Sequence, residues 1–413
     1  MSEADRARRR VLRLALFTDS FHPELGGIQD SILSCARILG ARGHHLLVFA
    51  PAASAADYAR VGLCPEEPDL GPNVRVRRLP SLRLPSSSQQ SRLAFPAGRW
   101  MRDCSRFRPD LVHSHTFLSV GWAALRAARR NRLPLVGTNH WAVEAFDVYA
   151  PWGQALFRRL AASAVLRYYQ ACDRVTGPSR FTVDSMLRGG LRRPCSVLSN
   201  PVDTECFRPP ESLPAIQALK ERWGLSEHTI VYAGRLAREK DVDVLVRALA
   251  ALRGQCPQAM LVLAGHGSAR PALEALARDC GVAEAVRFVG TLPHPQLAEL
   301  FAACEVFAIA SRSETQSMVV LQAMACGLPA VGARCGGLAE HIPAQAGELA
   351  EPGDVDDFRD KLLRLLGDPS ARARQGQAAR AFALRFAQSA VADAWEALYW
   401  QTLEQARAGS VAR

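Results

Sequence analysis

The 413-residue chain has no apolar run approaching the ~18 residues needed to cross a bilayer, so no spanning helix is expected. Met1 to Arg10 is charged, with no apolar stretch of signal-peptide type behind it, and no secretory leader is read there. The 11 cysteines are odd in number, scattered and without a C-x-x-C pair. That pattern argues against a disulfide frame or a zinc site and for reduced thiols in a cytosol. Lysine is nearly missing: only Lys220, Lys240 and Lys361 stand among 51 basic residues. No G-x-G-x-x-G and no recognisable nucleic-acid module occurs, so nucleic acid is not an expected partner.

What is present is ordinary globular composition, 48% apolar and 22% charged, on a chain long enough for two or three domains. The formal charge of +11 is lopsided. Residues 1–205 hold 29 Arg against 17 Asp plus Glu, a net of +12, which is the entire excess. Either that half meets something anionic, such as a membrane surface or a phosphorylated acceptor, or it is a solvated basic surface. Arg75, Arg77, Arg78 and Arg83 cluster within 52–90, which reads as loop-rich with one short strand, Val74 to Arg78.

Apolar strands alternate with helical spacing along both halves, which implies parallel sheets. In the second half the expected strands are Thr229 to Ala233, Ala259 to Ala264, Val286 to Val289, Val306 to Ala310 and Pro329 to Val331. Polar residues gather where strands end, the edge at which open parallel sheets bind ligands. Between Ser311 and Gly337 a strand, a polar loop carrying Glu314, a helix from Ser317 and a second strand ending in Gly336-Gly337 follow one another. The amides of Ser317, Met318 and Val319 at the helix start suit a phosphate. Glu314 can receive hydroxyls of whatever the phosphate carries. Upstream, Gly234-Arg-Leu-Ala-Arg-Glu-Lys240 offers a planar guanidinium and a compact ammonium that can converge on one pyrophosphate. The Asp241-Val-Asp243 triplet is expected to cap a helix, and no essential metal is expected.

In the first half, a strand from Val11 to Thr18 leads into a loop with Gly26-Gly27. Asp110-Leu-Val-His-Ser-His115 is a strand whose alternation puts His113 and His115 on one face. Another strand ends in Asn139-His140-Trp141, followed by Phe146, Tyr149 and Trp152, an aromatic lip that either receives a lipid tail or covers the core. Asn200-Pro-Val-Asp-Thr-Glu-Cys-Phe reads as a linker.

These motifs together resemble the retaining GT-B glycosyltransferases of family four (glycosyl transferases group 1), and Thr138-Asn-His and Glu314-Thr-Gln are closest in feel to their glycolipid-forming members. The resemblance implies an α/β protein with the GT-B fold, two Rossmann-like domains facing each other across a cleft. The expected boundaries are 1–199 for the acceptor domain, 200–212 for the linker and 213–385 for the nucleotide-sugar domain. A helix over 386–413 crosses back. Arg235 and Lys240 hold the diphosphate and Glu314 reads the sugar, with Gly27, Gly234 and Gly265 approaching the donor. Gly265-His-Gly267 matches the family's G-x-G at the base. His115 is expected near the anomeric carbon, with Asn139 and His140 facing the acceptor. Gln322 departs from the family, which has a Glu there on the ribose; an amide loses charge assistance, about 1 kcal/mol. The implied activity moves a hexose, with retention, from a UDP-sugar to a membrane lipid or other anionic acceptor, by a cytoplasmic protein peripheral on the inner membrane face. GDP-mannose-dependent mannosyl transfer and a non-catalytic binder of anionic membrane stay open.

Overall fold

The computed structural model describes residues 11–24, 26–84, 92–141 and 154–411, with side chains except those of 154–161 and 409–411. The chain divides into two compact units: Met1–Pro178, Thr182–Leu198 and Val391–Arg413 form the first, and Ser179–Phe181 and Ser199–Ala390 the second.

In the first unit the strands are β1 (Arg13–Phe17), β2 (His45–Pro51), β3 (Val74–Leu79), β4 (Ser81–Arg83), β5 (Arg92–Ala94), β6 (Leu111–Ser114), β7 (Leu135–Thr138), β8 (Arg174–Gly177) and β9 (Cys195–Val197). Seven of them make one parallel sheet in the order β3-β2-β1-β6-β7-β8-β9. β1 and β6 are four- to five-residue runs buried at nearly every position, as a strand covered by helices on both faces must be. The chain winds outward from β1 in one direction and then, from β6, in the other. The crevice between β1 and β6 is therefore the topological switch point, where ligands bind outside the strand ends.

The second unit repeats the plan. β10 (Thr229–Ala233), β11 (Met260–Ala264), β12 (Val286–Gly290), β13 (Val306–Ile309), β14 (Ala330–Ala333) and β15 (Gly347–Ala350) form a parallel sheet in the order β12-β11-β10-β13-β14-β15. Its switch point lies between β10 and β13. The helices that flank it bury alternating aliphatic faces; Val242–Leu252, for example, places Val242, Leu245, Val246, Leu249 and Leu252 in the core. The last helix, Gln388–Val411, packs Val391, Trp395, Leu398, Tyr399 and Leu403 into the first unit's core with Leu12, Leu14 and Ile32.

Three expectations need correction. The stretch expected to hold a single short strand also carries a helix, Ala55–Arg60, and a β4–β5 antiparallel hairpin completed by Arg92–Ala94. The arginine cluster there is largely engaged within the unit: Arg78 forks onto Glu67 at 2.8 and 2.9 Å, Arg77 meets Asp103 at 3.0 Å, and Arg83 meets Asp57 at 2.7 Å. β15 was not expected, because four residues with no β-branched side chain carry little strand signal; it forms because each pairs with a residue of β14. All 11 cysteines are free. Phe146, Tyr149 and Trp152 lie outside the described residues.

Candidate active site

At the second unit's switch point, β10 ends in Ala233 and the chain turns at Gly234, whose φ of +144° is a conformation glycine accepts without strain. Tyr232, buried in the strand, donates its hydroxyl to the Arg235 carbonyl at 2.9 Å and so supports the turn from beneath. A short 3-10 turn, Arg238–Lys240, carries the lysine back over the strand end. From the neighbouring strand β13, the loop Ser311–Ser317 brings Glu314 to meet it. Lys240 Nζ lies 2.5 Å from Glu314 Oε1, and both side chains are mostly buried. Burial alone pushes the Glu314 carboxyl up, but the Lys240 ammonium, with Ser311 and Arg235 also contributing, outweighs it and holds the group below its usual value. Arg235 is half-buried beside Glu239, at 3.6 Å.

Three glycines make this convergence possible. A Cβ on Gly265 would sit 1.8 Å from the Gly234 carbonyl oxygen, and one on Gly267 would sit 2.1 Å from that of Leu236. The β11 loop therefore lies backbone against backbone on the Gly234–Leu236 turn, and Leu236 N–H donates to the His266 carbonyl at 3.0 Å. In the same way a Cβ on Gly337 would lie 2.0 Å from the Thr315 carbonyl oxygen, and Gly337 N–H donates to the Glu314 carbonyl at 2.7 Å. The glycines hold the two acidic and basic loops in register.

The helix Met318–Ala325 begins one residue after Ser317 and carries Met318, Val319 and, buried one turn on, Gln322. Ser317 makes no side-chain capping bond, which leaves the start of this helix to its backbone amides. The Asp241-Val-Asp243 triplet does stand at a helix start, Asp241 at the N-cap position and Asp243 in the first turn, but Asp241, at φ +47°, makes no side-chain capping bond; its carboxylate takes the Arg312 guanidinium at 2.7 and 3.1 Å.

At the first unit's switch point His113, within β6, and His115 and His140, just beyond β6 and β7, form a buried histidine group. His113 is bonded through both ring nitrogens, to the Tyr399 hydroxyl and to Thr138 Oγ1, each at 2.8 Å, and so is structural. His115 lies next to it, ring centroids 4.1 Å apart, and its Nδ1 is 3.4 Å from His140 Nε2. Burial depresses all three imidazoles, His140 to about 4 and the other two well below the usual value, so they are neutral rings at pH 7. Asn139 directs both amide atoms to the backbone of Trp141, at 2.8 and 3.1 Å, and shapes that turn. Gly27 is the first residue of the helix Gly27–Ala41 that follows β1.

Set against known proteins, the chain matches the family model for glycosyl transferases group 1 over residues 217–382 and that for glycosyltransferase family 4 over residues 25–206. It is 32% identical to the D-inositol 3-phosphate glycosyltransferase of Xylanimonas cellulosilytica, over 92% of this chain and 93% of that one. This chain is a family 4 glycosyltransferase. A GDP-mannose-dependent alpha-mannosyltransferase of Mycobacterium tuberculosis is 30% identical over 84% of this chain and 85% of its own. Among solved structures, Anabaena HepE in complex with UDP-glucose superposes with a TM-score of 0.72 at 21% identity, covering 95% of this chain and all of that one. The glycosyltransferase thus has the GT-B fold and is a hexosyl-transferring enzyme.

Some residues around the glycosyltransferase's strand ends carried no motif. Asp19, just past β1, is buried, accepts the Thr116 hydroxyl at 2.7 Å and that of Ser119 at 3.4 Å, and ties down the loop that follows His115. Burial raises its carboxyl to about 6 against those hydrogen bonds. Gln316 accepts Asn200 N–H at 2.8 Å and reaches His341 Nε2 at 3.4 Å, while His341 Nδ1 reaches the Gly337 carbonyl at 2.6 Å. A polar residue just past a buried strand was the only available signal for Asp19. For His341 there was none, since its side-chain partner Gln316 lies 25 residues away in sequence.

Proposed function

We propose that the enzyme transfers a hexose, with retention, from a nucleotide-sugar to a hydroxyl of an anionic acceptor, a membrane lipid foremost. The observation that carries this reading is the meeting of Lys240 and Glu314 at 2.5 Å, beside Arg235 and the start of the Met318–Ala325 helix. A departing nucleoside diphosphate needs two negative charges stabilised. A guanidinium, an ammonium and free main-chain amides supply that stabilisation, and a carboxylate beside them accepts sugar hydroxyls. With that much fixed positive charge in place no divalent cation is required, and EDTA is expected to leave turnover unchanged.

UDP-hexose is the favoured donor; the fold likeness to HepE in complex with UDP-glucose supports it. The anionic acceptor is supported by the similarity to D-inositol 3-phosphate glycosyltransferase and by the basic excess of the first half. A second reading, GDP-mannose as donor, is favoured by the similarity to the mannosyltransferase. Neutral His115 is assigned to orient the acceptor hydroxyl. In this reading acceptor and leaving group share one face of the sugar, no carboxylate is assigned as nucleophile, and the diphosphate oxygen takes the acceptor's proton.

The test is a thermal-shift screen of UDP-, GDP- and ADP-sugars, followed by turnover. One of the UDP-sugars should raise the melting temperature, and Arg235→Ala should lower kcat by roughly 10²–10³. The reading is abandoned if no nucleotide-sugar shifts the protein, or if Arg235→Ala turns over like the parent. A preference for GDP-mannose selects the second reading.

A further inference from the structure

The arginines clustered within 75–83 are mostly paired within the first unit, but another set is not. The helix Trp100–Phe107 and its ends carry Arg99, Arg102, Arg106 and Arg108, all exposed. Together with Arg13, whose guanidinium lies over the Phe107 ring, three of these line one broad basic hollow. Ser105 Oγ donates to Asn131 Oδ1 at 3.0 Å, which seats this helix beside the end of Ser119–Asn131. That second helix and the residue after it add Arg126, Arg129, Arg130 and Arg132, also exposed.

Among the described residues none of these eight arginines has a carboxylate partner. From Arg99 to Arg132 the sequence holds only two acids, Asp103 and Asp110. The first is engaged with Arg77 and the second with the Arg13 backbone N–H. The helix Ser119–Asn131 is two-sided: Val120, Ala123, Ala124, Ala127 and Ala128 face the core. Trp122, Arg126, Arg129 and Arg130, at spacings of four, seven and eight, share the outer face. Trp122 is 45% exposed, and Leu118, just before the helix, 43%.

The geometry points to this face as the one that docks the enzyme on an anionic bilayer. Eight unneutralised guanidinium groups on two adjoining helices make a concentrated positive field that lipid phosphates satisfy. The exposed indole and leucine decide between anionic partners. A bilayer interface takes an aromatic ring and an aliphatic side chain beside the charges, whereas a nucleic-acid backbone rewards the charges alone. The purpose of such docking, bringing the enzyme to an acceptor held in the membrane, rests on the lipid-acceptor reading above; the docking itself does not.

The experiment is co-sedimentation of the full chain with vesicles of phosphatidylcholine alone or with phosphatidylglycerol, at 0.1 and 0.5 M NaCl. Binding should need phosphatidylglycerol and weaken sharply at the higher salt. R126E/R129E/R130E should bind at least about 30-fold more weakly, each charge at the surface being worth roughly several-fold. The same three positions changed to Ala guard against a folding defect, and both variants should keep the parent's melting temperature and its shift with UDP. Trp122→Ala should cost a further few-fold that salt does not remove. The proposal is overturned if the charge variants sediment like the parent, or if duplex DNA at the same salt is held more tightly than the vesicles. Full turnover with a soluble acceptor alongside lost vesicle binding in the variants would remove the lipid-acceptor reading and leave the docking face standing.

Discussion

Lys240 and Glu314 are each other's nearest opposite charge, 2.5 Å apart in a mostly buried setting, so altering one alters the chemistry of the other. In the parent the Glu314 carboxyl is held below its usual value, and activity that needs it ionised is lost only at strongly acid pH. Lys240→Ala removes the charge that outweighs burial, and the carboxyl then rises above the usual range. Turnover should fall roughly 10²–10³-fold and the acid limb of the pH–rate profile should move to higher pH. An unmoved limb would mean that Glu314 is not read by the substrate. Gln322 is the other residue whose chemistry can be probed directly. If its side chain faces the ribose, Gln322→Glu restores charge assistance worth about 1 kcal/mol, and the donor KM should drop roughly five-fold with kcat little changed. A donor KM that stays constant would take Gln322 out of the donor site.

At the scale of an element, the loops after β10 and β13 owe their shape to neighbours that lack a side chain. Gly337→Ala would force a Cβ to within 2.0 Å of the Thr315 carbonyl oxygen, and backbone cannot yield as a flexible side chain can. The expected cost is about 1–3 kcal/mol of stability, with a raised donor KM because the Glu314 loop is displaced. Gly254→Ala, where the nearest atom is 3.9 Å away, is the matched control and should be near neutral. Calorimetric melting of the two variants separates close packing from ordinary glycine entropy. The loops carrying Glu314 and Gly337 are also joined through Gln316 and His341 to Asn200, where the second unit's chain begins.

Over the whole molecule, the C-terminal helix is tied into the first unit by Glu396, which meets Arg42 at 3.1 Å and His44 at 3.3 Å. Burial pushes this carboxyl up, but His44 and Arg42 outweigh it and bring it to about 2, below its ordinary 4.5. The stability it contributes is therefore complete above pH 4.5 and is lost as pH falls toward 2. Glu396→Gln should cost about 3 kcal/mol at neutral pH. The gap from the parent should close as the pH falls from 4.5 toward 2, as read by urea denaturation across that window. A gap that stays constant to pH 2 would show that the pair contributes nothing through charge. Asp19 works in the opposite sense: with its carboxyl raised from 3.8 to about 6, the fold gains from its protonation as pH falls through that interval.

Much of the candidate site was legible because its residues sit in short local runs. Gly234 to Lys240, Glu314, His113 with His115, and Asn139 with His140 each stand at or soon after the end of a buried apolar strand, and in each unit the parallel sheet lines such ends up along one edge. The alternation of strands and helices was enough for two Rossmann-like halves, since hydrophobic period and strand burial are local properties. Other features were settled only when distant segments met. Asp57 became the partner of Arg83 and Arg92, from two short strands that single-sequence patterns do not register. Gly265 and Gly337 proved to be there for backbone packed against backbone, and β15 exists through its pairing with β14. Which arginines are neutralised and which face outward is likewise a tertiary outcome. Charge count belongs to the sequence, but a salt bridge requires two side chains brought within about 4 Å, and only the folded chain brings them there.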